Sequence, residues 1–184
     1  MIIVIALFVA YYVVAIIRAE EKLKYQAFFD SATGLPNQYS LRDELGAACS
    51  QQRMGTVMMI VADREREIFE SFGAVETERW LVKIAERLHS GIISGEENLY
   101  RFGGDAFVLL RWSGDLTDAR HRAGQFLAAA QQPLHVEGHE LFSTLSIGAA
   151  LMKYDSGNDM MSMTESKVQE AGLSVQSGAP RGRE

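Results

Sequence analysis

The chain has 184 residues, 47% of them apolar, and a formal net charge of −6. This length suits one ordinary domain with an appendage. The acidic balance excludes nucleic acid as the main partner, because phosphate binding needs a basic surface. Cys49 is the only cysteine, which excludes an intramolecular disulfide and a cysteine zinc cluster. We expect its thiol to be buried as a small hydrophobe.

The first 17 residues carry no charged side chain and are almost entirely apolar. As a helix they would span about 26 Å, slightly less than the bilayer core, and Arg18 could snorkel to the interface. A signal peptide fits less well, because no basic segment precedes the stretch and no small-residue cleavage site follows it. A buried core helix is the third reading. We predict a transmembrane helix over residues 1–17.

Three basic residues, Arg18, Lys22 and Lys24, follow this stretch. The positive-inside rule then places the rest of the chain in the cytoplasm, so the expected location is the inner (cytoplasmic) membrane with a single pass. Residues 18–29 are predicted to continue as a juxtamembrane helical linker.

A turn-rich block over residues 30–37 separates this linker from a predicted helix from Tyr39 to about Gln52. The next segment, Thr56–Ala62, is a continuous apolar run of strand length, so we expect a strand buried on both faces. It ends at Asp63, and the charged residues 64–67 are interpreted as a ligand-binding loop at the end of that strand.

Leucine, isoleucine and alanine at helical spacing predict a helix over residues 75–89. A β-hairpin follows, because β-forming residues flank the pair Gly103-Gly104, and two adjacent glycines suit a two-residue turn with positive φ. Asp105 would lie at the tip of this hairpin.

The C-terminal part begins with a predicted helix over residues 115–132. An antiparallel pair formed by 134–136 and 141–151 follows, then a helix over 159–171 and a disordered tail over 173–184. The order of elements predicts an α/β fold with a mixed central sheet flanked by helices, of the ferredoxin-like or polymerase-palm type.

Three motifs in order resemble those of the GGDEF family of diguanylate cyclases, which join two GTP molecules into cyclic di-GMP. Asp30-Ser31-Ala32-Thr33-Gly34-Leu35-Pro36-Asn37 resembles D-x-L-T-G-L-P-N, Arg101-Phe102-Gly103-Gly104-Asp105-Ala106-Phe107 resembles R-x-G-G-D-E-F, and Ser146-Ile147-Gly148 resembles S-I-G. The resemblance covers residues 30–172, which we take as the domain. It implies a palm-like nucleotidyl-cyclase fold.

The resemblance also implies where Mg²⁺ or Mn²⁺ would bind. The family holds its metal with the first Asp of D-x-D-x-F-K and the third letter of GGDEF. Here Val61 stands at the first position, Asp63 at the second Asp, and Asp105 at the third letter. Asp63 and Asp105 are therefore the candidate metal ligands. Ala106 replaces the glutamate that the family offers for deprotonation or metal binding.

Four residues are candidates for nucleotide contacts on the same ground. Gly103 and Gly104 form the signature turn, Arg66 stands at the phosphate-contacting Lys, and Glu78 stands at the guanine-binding Asp. Phe69 replaces the guanine-binding Asn. The R-x-x-D motif of the inhibitory product site is lost, since residues 94–97 read Ser-Gly-Glu-Glu.

We therefore expect a membrane-anchored, degenerate GGDEF domain with no intact catalytic set, acting as a regulatory or nucleotide-binding module of bacterial cyclic di-GMP signalling. The expected partners are the membrane, GTP, and a second copy of the chain or another signalling protein. One alternative is an active diguanylate cyclase that uses Asp63 and Asp105 as a displaced metal pair. Another is an interaction module that binds no nucleotide. Family members often continue into a phosphodiesterase domain, so the chain could be a piece of a longer protein.

Overall fold

The computed structural model describes residues 2–112, 114–152 and 175–176. Helix α1, Ile2–Phe28, is a single helix that covers both the predicted membrane segment and the predicted linker. Within the described part of the chain, no helix is both long and apolar enough to cross a membrane. The membrane anchor therefore stays a prediction.

Helix α2, Gln38–Ser50, matches the predicted helix to within two residues at either end. Asn37 caps it, because its side-chain oxygen accepts hydrogen bonds from the amides of Tyr39 and Ser40. Cys49 lies on this helix and is exposed. The expectation of a buried thiol was wrong, because the face of α2 that packs on the domain is formed by other residues: Leu41, Leu45 and Ala48.

A five-stranded sheet forms the centre of the domain, in the order β2-β3-β1-β6-β7. Its strands are β1 Thr56–Ala62, β2 Glu97–Gly103, β3 Ala106–Arg111, β6 Leu145–Leu151 and β7 Val175–Gln176. The strand predicted over 56–62 is confirmed at both ends. All four strand pairs of this sheet are antiparallel, so the sheet is antiparallel and not mixed as predicted. The α/β class and the ferredoxin-like order of elements are confirmed.

Three helices connect the strands: α3 Glu65–Phe72, α4 Ala74–Ser90 and α5 Leu116–Ala130. The last two match the predicted helices to within two residues at each end. Helix α3 corrects the sequence analysis, which read residues 64–67 as a loop. The helix begins there because acidic Glu65 and Glu67 suit its first turn and Ile68 packs in the core.

The segment after α5 also differs from the prediction. Strands β4, Leu134–Val136, and β5, His139–Leu141, form a separate two-stranded sheet, and β6 pairs with β1. The predicted single strand over 141–151 is therefore two strands in different sheets. The predicted helix over 159–171 lies outside the described residues, and within the predicted disordered tail β7 forms a short strand on β6.

The sheet separates two hydrophobic clusters. One face packs against α4 and α5, with Trp80, Phe107 and Ile60 among its fully buried residues. The other face packs against α2 and contains Val57, Tyr100, Val108 and Leu110. Because side chains alternate along a strand, Val61 and Ala106 belong to the face that α2 covers. These two positions matter for the site described next.

Candidate functional site

The hairpin between β2 and β3 carries the site. Gly103 pairs with Ala106, so the two central residues of the turn are Gly104 and Asp105 and not Gly103-Gly104 as predicted. The shift follows from an irregularity in the ladder between Arg101 and Gly103. Gly103 and Gly104 have φ values of +138° and +49°, which explains why glycine occupies both positions. Both are exposed at the surface.

Val61 and Ala106 lie directly opposite each other in the antiparallel pair of β1 and β3. Side chains at such paired positions have Cβ atoms about 4.5–5.5 Å apart. Both residues are half-buried. These are the two positions at which the resemblance implies a metal-binding Asp and the fourth-position Glu. Two family carboxylates would therefore meet across the strands here, and in this chain two apolar side chains meet instead.

Asp63 follows the end of β1 and is engaged on the β6 side of that strand. Its carboxylate accepts hydrogen bonds from the hydroxyls of Thr144, at 2.9 Å, and Ser146, at 2.8 Å. Its backbone amide also donates to the Thr144 carbonyl at 2.9 Å. The hairpin lies on the opposite side of β1, since the strand order is β3-β1-β6. Asp63 thus joins two strands, which is a structural role.

Asp105 is half-buried in the turn, and its carbonyl accepts a 3.0 Å hydrogen bond from the amide of Ala62. Among the residues that the structure describes, no group of three or more His, Cys, Asp or Glu side chains is placed to hold a metal ion. Hard divalent cations need several oxygen ligands. The side chains of Val61 and Ala106 offer none, so the donor set around Asp105 does not fit a Mg²⁺ or Mn²⁺ site.

Arg101 is a buried charged residue beside the turn that the sequence analysis did not select as a site residue. Its guanidinium donates to the carbonyl of Gly104 and lies over the Phe107 ring at 4.6 Å. The side chain is buried, which lowers its pKa, and the negative charges of four acidic residues act in the opposite direction: Asp30, Glu78, Asp105 and Glu65. An arginine inside an apolar strand, two residues before a glycine turn, was the available signal.

Arg66 and Phe69 both lie on α3 and point into solvent. The Arg66 side chain is 88% exposed and pairs with Glu70 of the same helix at 2.9 Å. Phe69 is 52% exposed. Arg66 is therefore engaged along its own helix surface, and the candidate phosphate contact is not held toward the hairpin.

Glu78 is exposed on α4 and lines a cavity of about 350 Å³. The cavity is also lined by the apolar residues Ala32, Val82 and Val136 and by four charged or titratable residues: Arg79, Lys83, His135 and Glu137. The charges of Glu78 and Asp105 both act on Arg101, which places these three side chains in one electrostatic neighbourhood. Glu78 and Asp105 are thus linked through their electrostatic effect on Arg101, whereas no residue of the hairpin lines the Glu78 cavity. Asp63 and Arg66 are engaged elsewhere.

The segment before the signature hairpin contains a buried ion pair. Glu97 is completely buried, and its carboxylate accepts two 2.7 Å hydrogen bonds from Arg122 of α5 and one of 3.0 Å from the amide of Ile93. Arg111 adds a second positive charge at 3.6 Å. Glu97 stands at the Asp of the R-x-x-D motif and Ser94 at its Arg. The Glu97 carboxylate is thus engaged by Arg122 and Arg111 inside the domain.

The profile described as "Diguanylate cyclase, GGDEF domain" matches residues 27–176 of the chain. The chain belongs to the GGDEF family.

Two bacterial proteins illustrate the sequence similarity of this GGDEF domain. The bifunctional diguanylate cyclase/cyclic di-GMP phosphodiesterase MucR of Pseudomonas aeruginosa is 30% identical over 142 residues, which cover 75% of this chain and 21% of MucR. The cyclic di-GMP phosphodiesterase NbdA of the same organism is 26% identical over 172 residues, covering 90% of this chain and 21% of NbdA. The chain spans about a fifth of the length of such relatives.

Solved structures show the same fold. The diguanylate cyclase SiaD of P. aeruginosa, crystallised with its activator SiaC, superposes with a TM-score of 0.70 at 21% identity over 91% of this chain and 68% of that one. The coiled coil and GGDEF domain of DgcB from Caulobacter crescentus, in complex with cyclic di-GMP, superposes with a TM-score of 0.75 at 17% identity over 89% and 91% of the two chains. At these identities the likeness concerns the fold.

Proposed function

We propose that this GGDEF domain is degenerate: that it does not synthesise cyclic di-GMP at a useful rate and acts as a regulatory or nucleotide-binding module. The observation that carries the proposal is the direct pairing of Val61 with Ala106. At this one pair of facing residues, the chain lacks both the metal-binding Asp and the fourth-position Glu of the family. A substitution in one strand would leave a partial site, whereas the substitution of both leaves no side-chain oxygen at this pair.

The chemistry explains why these losses matter. Cyclic di-GMP synthesis is the attack of a 3′-hydroxyl on an α-phosphate, and divalent metal stabilises the charge that develops on the phosphate oxygens. Removal of one positioned catalytic group typically costs about 10²-fold or more in rate. The metal position, the fourth-position acid and the guanine amide are lost at Val61, Ala106 and Phe69, so turnover should be negligible.

The displaced metal pair, the basis of the active-enzyme alternative, has weak support. Asp63 is held by Thr144 and Ser146 on the β6 side, while Asp105 lies in the hairpin on the β3 side. Using both as ligands would require a carboxylate that Thr144 and Ser146 hold on the β6 side to reach a metal ion at the hairpin. A divalent metal, if bound at all, would have Asp105 as its only carboxylate in the hairpin.

The base-binding end of the site keeps an acid at Glu78, although Phe69 replaces the guanine-binding amide. Glu78 lines a cavity with largely apolar walls, and a carboxylate there can accept hydrogen bonds from N1–H and N2–H of guanine. The acidic residues that act on Arg101 would repel a triphosphate, so the phosphates should contribute little to binding. GTP is therefore the proposed ligand, held mainly by its base.

Calorimetric titration of the full chain with GTP, with and without Mg²⁺ or Mn²⁺, tests the binding role, and product analysis on the same sample tests the catalytic claim. We expect weak binding, little dependence on metal, no cyclic di-GMP, and loss of binding in Glu78→Gln. Glu67→Gln on α3 is the control, because Glu67 is an exposed acid that pairs with Arg64, and neither residue lines the cavity. Binding that Glu78→Gln leaves unchanged would contradict the proposed base contact.

A second candidate function is an interaction module that binds no nucleotide. It is favoured by three apolar side chains exposed on α3 and α4 next to the site: Phe69, Phe72 and Val75, which are 52%, 38% and 64% exposed. The partner would be a second copy of the chain or another signalling protein, as the activator SiaC is for SiaD. A flat GTP titration would favour this candidate over nucleotide binding.

The proposed location is the inner membrane, with the domain in the cytoplasm. Support comes from the uncharged first 17 residues and from the basic residues Arg18, Lys22 and Lys24 that follow them. Several large apolar side chains of α1 are exposed, including Tyr11, Ile16 and Ile17. A lipid or protein environment is therefore needed to cover the helix.

A further inference from the structure

The carboxyl end of α1 is tied to the beginning of α2. The last carbonyl of the helix, that of Phe28, accepts hydrogen bonds from the Asn37 amide at 2.9 Å and the Ser40 hydroxyl at 2.5 Å. The Ala27 carbonyl accepts from Asn37 Nδ2 at 2.9 Å. Carbonyls in the last turn of a helix have no partner within the helix, so these donors satisfy groups that would otherwise need water.

Asn37 holds both helices with one side chain. Its Nδ2 group donates to α1, and its Oδ1 atom accepts from the amides of Tyr39 and Ser40 in α2. The two atoms of one amide are thus committed to two different helices. Neither helix can rotate about this junction without breaking a hydrogen bond to Asn37.

The same junction reaches the signature hairpin through Arg101. The Arg101 amide donates to the Pro36 carbonyl at 2.8 Å, and Asn37 forms an isolated parallel bridge with Arg101. The Arg101 guanidinium then donates to the Gly104 carbonyl in the turn. Strand β2 is at the edge of the sheet, so Pro36 takes the place of a further strand beside Arg101.

We infer that Asn37, Pro36 and Arg101 form a clasp that transmits a displacement of α1 to the turn Gly103–Asp105. Helix α1 has 27 residues, about 40 Å at 1.5 Å per residue, so a small change of its direction displaces its far end considerably. The clasp is a continuous route of hydrogen bonds and chain from this helix to the turn. The inference does not depend on nucleotide binding, because it concerns the coupling of two parts of the fold.

The substitution Asn37→Asp removes the side-chain hydrogen bond to α1 and keeps the cap of α2. Asp caps helices as well as Asn does, so the hydrogen bonds to Tyr39 and Ser40 are kept. The donor to the Ala27 carbonyl is lost, and a carboxylate is placed against it. We expect the Arg101 amide and the amides of residues 103–106 to exchange at least about fivefold faster, the factor that corresponds to one net hydrogen bond of about 1 kcal/mol.

The measurement is hydrogen–deuterium exchange of the full chain in detergent micelles, read at residue level by fragmentation mass spectrometry. Asn37→Ala and Asp115→Ala form the matched pair, because each removes the side chain that caps a helix, and only Asn37 contacts α1. Asp115→Ala should accelerate exchange at the start of α5 and leave Arg101 unchanged.

Two results would overturn the inference. One is unchanged exchange at Arg101 in Asn37→Asp. The other is an equal increase at Arg101 in Asp115→Ala, since that would show general destabilisation in place of transmission. Selective acceleration at residue 101 and the turn in the Asn37 variants supports the clasp.

Discussion

Glu97 is one of the few charged residues in the otherwise largely apolar interior of the domain. It is fully buried, with Arg122 bidentate on its carboxylate and Arg111 nearby. A buried ion pair adds little over apolar packing, but removing one partner leaves an uncompensated charge in the interior. The pair fixes the start of β2 against α5.

Arg122→Ala should lower the free energy of unfolding by about 3–5 kcal/mol, because Glu97 would then lack its bidentate partner. Chemical denaturation of the variant measures this. Arg66→Ala is the matched control, since Arg66 is 88% exposed and its pair with Glu70 should contribute only about 0.3–0.5 kcal/mol. Equal losses of unfolding free energy in the two variants would show that the Glu97 pair contributes no more than an exposed ion pair.

Val61 and Ala106 determine whether the hairpin can bind a metal ion. The double substitution Val61→Asp with Ala106→Glu places two carboxylates opposite each other across β1 and β3. Without metal, like charges at paired positions should lower Tm. Added Mn²⁺ should raise it, because a ligand that binds only the folded state stabilises it.

The neutral pair Val61→Asn with Ala106→Gln has the same size and controls for packing. It should show no Mn²⁺-dependent change in Tm by scanning fluorimetry, and neither should the unsubstituted chain. A Mn²⁺ response of equal size in the unsubstituted chain would mean that a metal site already exists, contrary to the donor set described for Asp105.

Helix α5 shows how a single side chain defines an element. Asp115 accepts hydrogen bonds from the amides of Thr117 and Asp118, at 2.7 and 3.0 Å. These bonds lower the pKa of the Asp115 carboxyl below its ordinary value of 3.8, the backbone bond from Asp118 being the largest cause. The charged carboxylate is therefore the form that the folded state stabilises.

The sign of the pH dependence follows from this direction. A carboxyl with a lowered pKa in the folded state stabilises the fold above its unfolded value, and this contribution is lost as the pH falls through the folded pKa. Asp115→Asn keeps the cap without the charge. It should therefore reduce the loss of stability on acidification below about pH 4, measured as Tm against pH. An identical acid profile in both proteins would contradict the assigned role.

The elements could be predicted where the sequence pattern is local. The apolar run of β1 and the helical spacing of α4 determine those elements almost to the residue. The division between β5 and β6 was missed because residues 141–151 contain no proline and no two-residue turn signal, and only tertiary pairing assigns Leu145–Leu151 to β1. The predicted position of the turn was wrong by one residue, because the irregularity near Phe102 depends on the pairing with the neighbouring strand.

The site could be predicted only in part for a similar reason. The resemblance placed Val61 and Ala106 at their family positions, but that they face each other follows from the strand register. The hydroxyls of Thr144, just before β6, and of Ser146, within it, donate to Asp63. These residues are more than 80 positions from Asp63 in the sequence, so no local pattern could predict the contact. Arg101 was missed because its role depends on the carbonyls of Pro36 and Gly104.

In the part of the chain that the structure describes, the long helix α1 is attached to one domain. If residues 1–17 span the membrane, Ala10→Arg near their centre should weaken membrane insertion by about 2.5–3.5 kcal/mol, because a charged side chain there is costly to insert. Ala19→Arg, beyond the predicted segment, is the matched control. Membrane fractionation after carbonate extraction should show release of the first variant only, and membrane retention of both would contradict the predicted span.

The most direct test of the central claim is product analysis of the purified full chain with GTP and Mg²⁺ or Mn²⁺, by liquid chromatography with mass detection. The pairing of Val61 with Ala106 predicts no cyclic di-GMP above the background of a protein-free sample. Clear formation of cyclic di-GMP that is abolished by Asp105→Ala would contradict the account and establish an active cyclase.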